Sequence, residues 1–111
     1  MSTNLNSLNC TPCSGRTPKL ENDEISINLN KLSDWSINDE KEMLFKKFTF
    51  KTFNAALDFT NSIGDLAEKE GHHPDISLGW GYCLIMIHTH AIKGLSINDF
   101  VLASKIDLIK L

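Results

Sequence analysis

The chain has 111 residues, 41% of them apolar and 23% charged, the balance of one folded domain rather than of a disordered, fibrous or membrane-spanning chain. Its formal net charge of −3, with Lys46-Lys47 the one adjacent basic pair, argues against a nucleic-acid partner, because affinity for a phosphate backbone comes from clustered cations. Three cysteines, an odd number, with Cys83 inside an apolar run, argue against a disulfide framework and for a reducing, cytoplasmic compartment.

The N-terminal stretch MSTNLNSLNC has neither the basic nor the apolar region of a signal peptide, and no run approaches the ~18 to 20 apolar residues of a membrane span. Residues 1–18 are rich in Asn, Ser, Thr and Pro without an apolar period, which predicts a mobile leader or loosely docked arm. Cys10 and Cys13 form a CxxC there. Without a second pair it reads as two reduced thiols. The folded domain is expected over 19–111.

From Glu21 to Leu32, Ile25, Ile27, Leu29 and Leu32 allow a short helix, although the first three alternate as a strand would. Trp35 and Ile37, then Met43 to Phe50, flank the polar turn Asn38-Asp39-Glu40-Lys41, the pattern of a hairpin with Phe48 and Phe50 toward the core. From Phe53 to Glu70 the positions Phe53, Ala56, Leu57, Thr60, Ile63 and Ala67 follow the spacing of an amphipathic helix, with Thr52 as its cap and Gly71 as its stop. Asp75 to Leu78 and the apolar run Tyr82 to Ile87 predict a second hairpin across Gly79-Trp80-Gly81. The second run is apolar on both faces, as in a central strand. If that strand continues, Tyr82, Leu84, Met86, His88 and His90 share a side. After a turn at Gly94-Leu95, Ser96 and Asp99 form a capping box, with Leu95 stapled to Phe100, for a last helix from Ile97 to about Lys110. The order helix, hairpin, helix, hairpin, helix predicts an α+β fold, an antiparallel sheet with helices packed on one face.

All four histidines, His72, His73, His88 and His90, fall within 19 residues. Imidazole both donates and accepts protons near neutral pH, so two loops carrying histidines can form one proton-handling pocket. Two other readings stand beside this one. His72 and His73 can simply sit at the negative end of a helix dipole. His88 and His90, with His72 or His73, can offer three imidazoles to zinc, although the spacing follows no established zinc motif.

The segment E-K-E-G-H-H-P-D from Glu68 to Asp75, the aromatic Trp80, Thr89-His90 and G-L-S-I-N-D ending at Asp99 resemble the signature of pterin-4a-carbinolamine dehydratases. FKKFTFKTFNAALDFT is similar to that family's strand-to-helix segment, and the likeness runs from Glu21 to the C-terminus. The chain has His88 where other members often carry a small hydroxyl residue. The resemblance implies a four-stranded antiparallel sheet with three helices on one side, in a homo-oligomer, dimer or tetramer. It also implies loss of water from a 4a-hydroxytetrahydropterin to give quinonoid dihydropterin, without metal or redox cofactor, in tetrahydrobiopterin recycling.

By the same resemblance His72 and His90 are the acid and base, His73 binds or orients the ring, and Glu68 and Asp99, counted among the substrate-binding residues, tune the local charge. Pro74 and the backbone at Gly71 and from His88 through Thr89 and His90 to Ala91 hold the flat pterin edge. Some members of the family serve instead as dimerisation partners of transcription factors. An interaction protein without a catalytic role is therefore the reading from another class.

Overall fold

In a computed structural model, which describes residues 5–11 and 17–110, a four-stranded antiparallel sheet carries three α-helices on one face. Helix α1 spans Asn22–Asn30, β1 Ser36–Ile37, β2 Leu44–Thr49, α2 Phe53–Glu70, β3 Asp75–Gly79, β4 Tyr82–Ile87 and α3 Ile97–Ile106. Among the described residues, no helix is long and apolar enough to cross a membrane.

The ambiguous segment after Glu21 is helical because Glu21 and Glu24 close a capping box. A helical period then turns Ile25 into the core and Leu29 and Leu32 against it, while Ile27 is left facing solvent. The sheet order is β1-β2-β4-β3, so the all-apolar run of β4 is central. On β4, Cys83, Ile85 and Ile87 are fully buried beneath the helices, and Tyr82, Leu84 and Met86 occupy the other face. Burial pushes the Cys83 thiol up, as expected for a reduced core cysteine. Lys46 and Lys47 point to opposite faces of β2. Lys46 lies on the helix side, where its ammonium bonds the Ser33 carbonyl at 2.9 Å and the Asp107 carboxylate at 2.8 Å.

Helix α2 begins where Thr52 accepts a bond from the Ala55 N–H at 3.0 Å and ends at Gly71, which has φ of 68°. That left-handed turn is where glycine is favoured, and it aims the chain from the helix end into His72. The buried stripe differs from the expected one. Ala56, Phe59, Ile63 and Ala67 are buried, while Phe53 and Leu57 are exposed. Phe59 wins because Phe48 and Phe50 both reach it, at ring-centroid distances of 4.6 and 5.3 Å. The last helix stops at Ile106 rather than near Lys110, with Asp107 at its cap. There Asp107 accepts from the Trp35 indole at 3.0 Å.

Residues 5–11 lie against α3. Leu5 is buried in the core cluster, the Thr11 N–H donates to Asn98 Oδ1 at 3.0 Å and the Asn98 amide donates back to the Thr11 carbonyl at 2.8 Å. Cys13, the second thiol of the CxxC, lies outside the described residues. The Cys10 N–H reaches Glu70 Oε1 at 3.1 Å, and Lys105 Nζ lies 3.0 Å from Glu70 Oε2.

Burial pushes the Glu70 carboxyl up, but the Cys10 N–H and the bond and charge of Lys105 pull it down and outweigh burial, so it lies below the ordinary value of 4.5. A carboxyl depressed by folding stabilises the native state above its unfolded value and loses that contribution as pH falls through the folded one. Glu70→Gln is therefore expected to lower unfolding stability near neutral pH by about 1.5 to 3 kcal/mol, the range for bonds to a charged group. In urea titrations the gap should narrow as pH falls below 4.5. A gap that persists unchanged in acid would show that packing, and not the charge, carries it.

Candidate active site

The pocket forms where two chain ends meet: the turn leaving α2 at Gly71 and the segment leaving β4 after Ile87. Pro74 starts no helix after His72-His73, and β3 departs at Asp75. On the other side the strand does not extend to His90 as the alternation allowed. It ends at Ile87, Thr89 makes an isolated antiparallel bridge to Gly94, and His90–Ile92 form one 3-10 turn. That turn brings His90 beside His88, with ring centroids 3.9 Å apart.

Gly71, His72, His73, Pro74, Asp75, His88, Thr89, His90 and Ala91 line a cavity of about 350 Å³. The three histidines expected to act on one small ring thus face one concavity. They differ in surroundings. His72 is buried, at 7% exposure, and its Nε2 lies 2.6 Å from Asp99 Oδ1. His73 is exposed, with Nε2 3.4 Å from Glu68 Oε2. His90 is exposed at the rim.

Beneath His72 runs a closed polar network. The Asp99 carboxylate, fully buried, accepts on Oδ2 from the Thr89 hydroxyl and from the Ser96 N–H, both at 2.8 Å. Thr89 Oγ1 lies 2.9 Å from Ser96 Oγ. Since the Thr89 proton goes to Asp99, the Ser96 hydroxyl donates to Thr89. An ionised carboxylate only accepts, so facing Asp99 the His72 ring presents its Nε2–H to Oδ1. Such a satisfied buried network holds one tautomer and one ring orientation. The capping box of α3, legible as Ser96 and Asp99, thus doubles as the support of the deepest histidine.

Two residues expected at the substrate do not reach the cavity. Asp99 stands behind His72, and Glu68 is exposed on the last turn of α2 beside His73. Two of the expected backbone donors are also engaged: the Gly71 N–H bonds the Ala67 carbonyl at 2.9 Å and the Thr89 N–H bonds the Gly94 carbonyl at 3.1 Å. Asp75 is the residue that sequence reasoning quoted in its motif without giving it a place. Its Oδ2 lies 3.0 Å from His88 Nε2. The signal available was the pairing of β3 with β4, which sets Asp75 opposite Met86, two residues before His88.

A family model described as "Pterin 4 alpha carbinolamine dehydratase" matches residues 18–109. A protein from Methylococcus capsulatus, named "Putative pterin-4-alpha-carbinolamine dehydratase", is 46% identical over 98 residues, covering 88% of this chain and 86% of its own. A protein of the same name from Alkaliphilus metalliredigens is 49% identical over 105 residues, covering 94% of each. The solved structure of a "transcriptional coactivator/pterin dehydratase" from Brucella melitensis superimposes with a TM-score of 0.77 at 28% identity, covering 81% of this chain and 96% of that one.

Proposed function

The chain belongs to the pterin 4 alpha carbinolamine dehydratase family, and from that premise we propose that it catalyses loss of water from a 4a-hydroxytetrahydropterin, giving the quinonoid dihydropterin of tetrahydrobiopterin recycling. The observation that carries this reading is the common cavity of His72, His73 and His90, with His72 held from below by Asp99. A protein that served only as an interaction surface would need Asp99 as part of the α3 capping box, but not three histidines on one cavity.

In the reaction, the lone pair of a ring nitrogen forms a C=N bond to C4a as the C4a–O bond breaks. The oxygen takes one proton and leaves as water, and the ring gives up one N–H proton. No electrons are exchanged with a second reactant. The protein therefore needs one group to donate a proton to the leaving oxygen and another to accept the ring proton. His72, with Nε2–H committed to Asp99, and His90, lining the same cavity, supply the pair. His73 lies against the ring, and Pro74, Ala91 and the backbone carbonyls of Gly71 and His88 bound its flat edge, where a carbonyl oxygen can accept from a ring N–H.

A spectrophotometric dehydration assay on the purified chain tests this. The protein is expected to accelerate the reaction well above its spontaneous rate, and chelator-treated protein is expected to be no less active, because protonation of the leaving oxygen replaces Lewis-acid assistance. Folded protein that leaves the spontaneous rate unchanged would overturn the reading and favour the interaction role.

A further inference from the structure

We propose that the rim of the same cavity is a divalent transition-metal site, formed by Asp75, His88 and His90, and that its occupation inhibits the chain. One ring nitrogen from each histidine and a carboxylate oxygen of Asp75 all lie within 4.8 Å of one another. His88 Nε2 lies 3.0 Å from Asp75 Oδ2. Donors at ~2.0 to 2.2 Å around a tetrahedral ion stand about 3.4 Å apart, so small side-chain rotations suffice to bring the three onto one ion.

The three donors come from two different segments, β3 and the turn after β4, that the sheet pairing already holds together. The zinc reading from sequence paired His88 and His90 with His72 or His73. In the fold His72 is committed to Asp99, and the third donor is the carboxylate across the hairpin. Two imidazoles and one carboxylate suit Zn²⁺, Co²⁺ or Ni²⁺, and are poor ligands for Mg²⁺ or Ca²⁺, which take oxygen donors. A three-ligand site at a cavity rim leaves the remaining position of the ion to solvent.

The inhibitory part rests on the dehydratase reading. A metal-bound ring nitrogen of His90 can neither accept nor donate the transferred proton, and the ion would stand where the pterin edge enters.

The binding arm needs no activity. Chelator-treated protein titrated with Co²⁺ is expected to bind one ion per chain, with a visible absorption band that Zn²⁺ abolishes by displacement. His88→Ala and Asp75→Asn should each weaken Co²⁺ binding about tenfold or more, through loss of a ligand, while His73→Ala should retain it. Absence of the band, or affinity unchanged in both folded variants, overturns the site. In the assay, Zn²⁺ is expected to abolish dehydration and chelator to restore it, with the zinc sensitivity lost in His88→Ala measured against that variant's own metal-free rate. Stimulation by Zn²⁺, or inhibition that persists in His88→Ala, overturns the inhibitory role while leaving the binding result to stand. A chain inactive with and without metal, yet binding Co²⁺ as described, would sink the dehydratase reading and not the metal site.

Discussion

The double change His72→Ala/His90→Ala is expected to bring dehydration of a 4a-hydroxytetrahydropterin close to its spontaneous rate, while either single change costs within or below the range of about 10² to 10⁴ usual for one acid–base group. The two imidazoles reach the cavity from different elements, His72 from the turn after α2 and His90 from the 3-10 turn after β4. With one removed, the other or a water can still move a proton, so the losses should not add in the simple way of independent sites. His90 is exposed and its truncation leaves no buried cavity. His72→Ala strands Asp99, which keeps Thr89 and Ser96 as donors. Circular dichroism and urea titration therefore accompany the kinetics, to separate loss of chemistry from loss of fold. A folded double variant that turns over at the wild-type rate would end the acid–base assignment of both histidines.

The second large effect is expected from Asp99→Asn, which alters one atom and leaves the shape. In the native network the carboxylate takes protons on both oxygens, from His72 Nε2–H on one and from Thr89 and Ser96 on the other. An asparagine must turn its single oxygen toward the Ser96 N–H, because that group can only donate and would otherwise meet the amide NH₂. Its NH₂ then faces His72. The ring can meet an N–H donor only with a lone pair on Nε2, which moves the proton to Nδ1 and reverses the tautomer.

Replacing an orienting acid by its amide in this way keeps geometry and costs up to about 10⁴ in turnover in the best-studied acid–histidine pairs. We expect kcat to fall by about 10² or more with KM little changed. At the third helical position an asparagine oxygen still accepts from the Ser96 N–H, so stability should suffer far less than in Asp99→Ala, where each buried donor left without its acceptor costs about 1 to 3 kcal/mol. Nitrogen NMR shifts of the His72 ring distinguish the two tautomers directly. Reduced activity with the native tautomer intact would make Asp99 a residue of fold stability alone; a reversed tautomer with undiminished kcat would remove His72 from the chemistry.

Helix α2 was legible in the sequence from end to end, since Thr52 and Gly71 act on their own neighbours: a hydroxyl bonds the N–H three residues on, and glycine accepts the left-handed turn wherever it occurs. The centrality of β4 was legible for a similar reason, because a run apolar on both faces can be buried only with a strand on each side. The clustering of the histidines and the Ser96–Asp99 box also stood in the sequence as short-range patterns.

Which stripe of α2 is buried was decided elsewhere. Phe53 and Leu57 satisfy the helical period as well as Phe59 does, and only the positions of Phe48 and Phe50 on the sheet select Phe59. The different surroundings of the histidines were decided in the same manner. His72 and His73 are adjacent in the chain, yet one is buried on Asp99, 27 residues away, and the other is exposed beside Glu68. Asp75 meets His88 because β3 and β4 pair in a given register. Local sequence determines where the chain caps, turns and alternates, since those energies act over three or four residues. Which side chains become partners is determined by the close packing of sheet and helices, which brings together groups that no interval along the chain marks as neighbours.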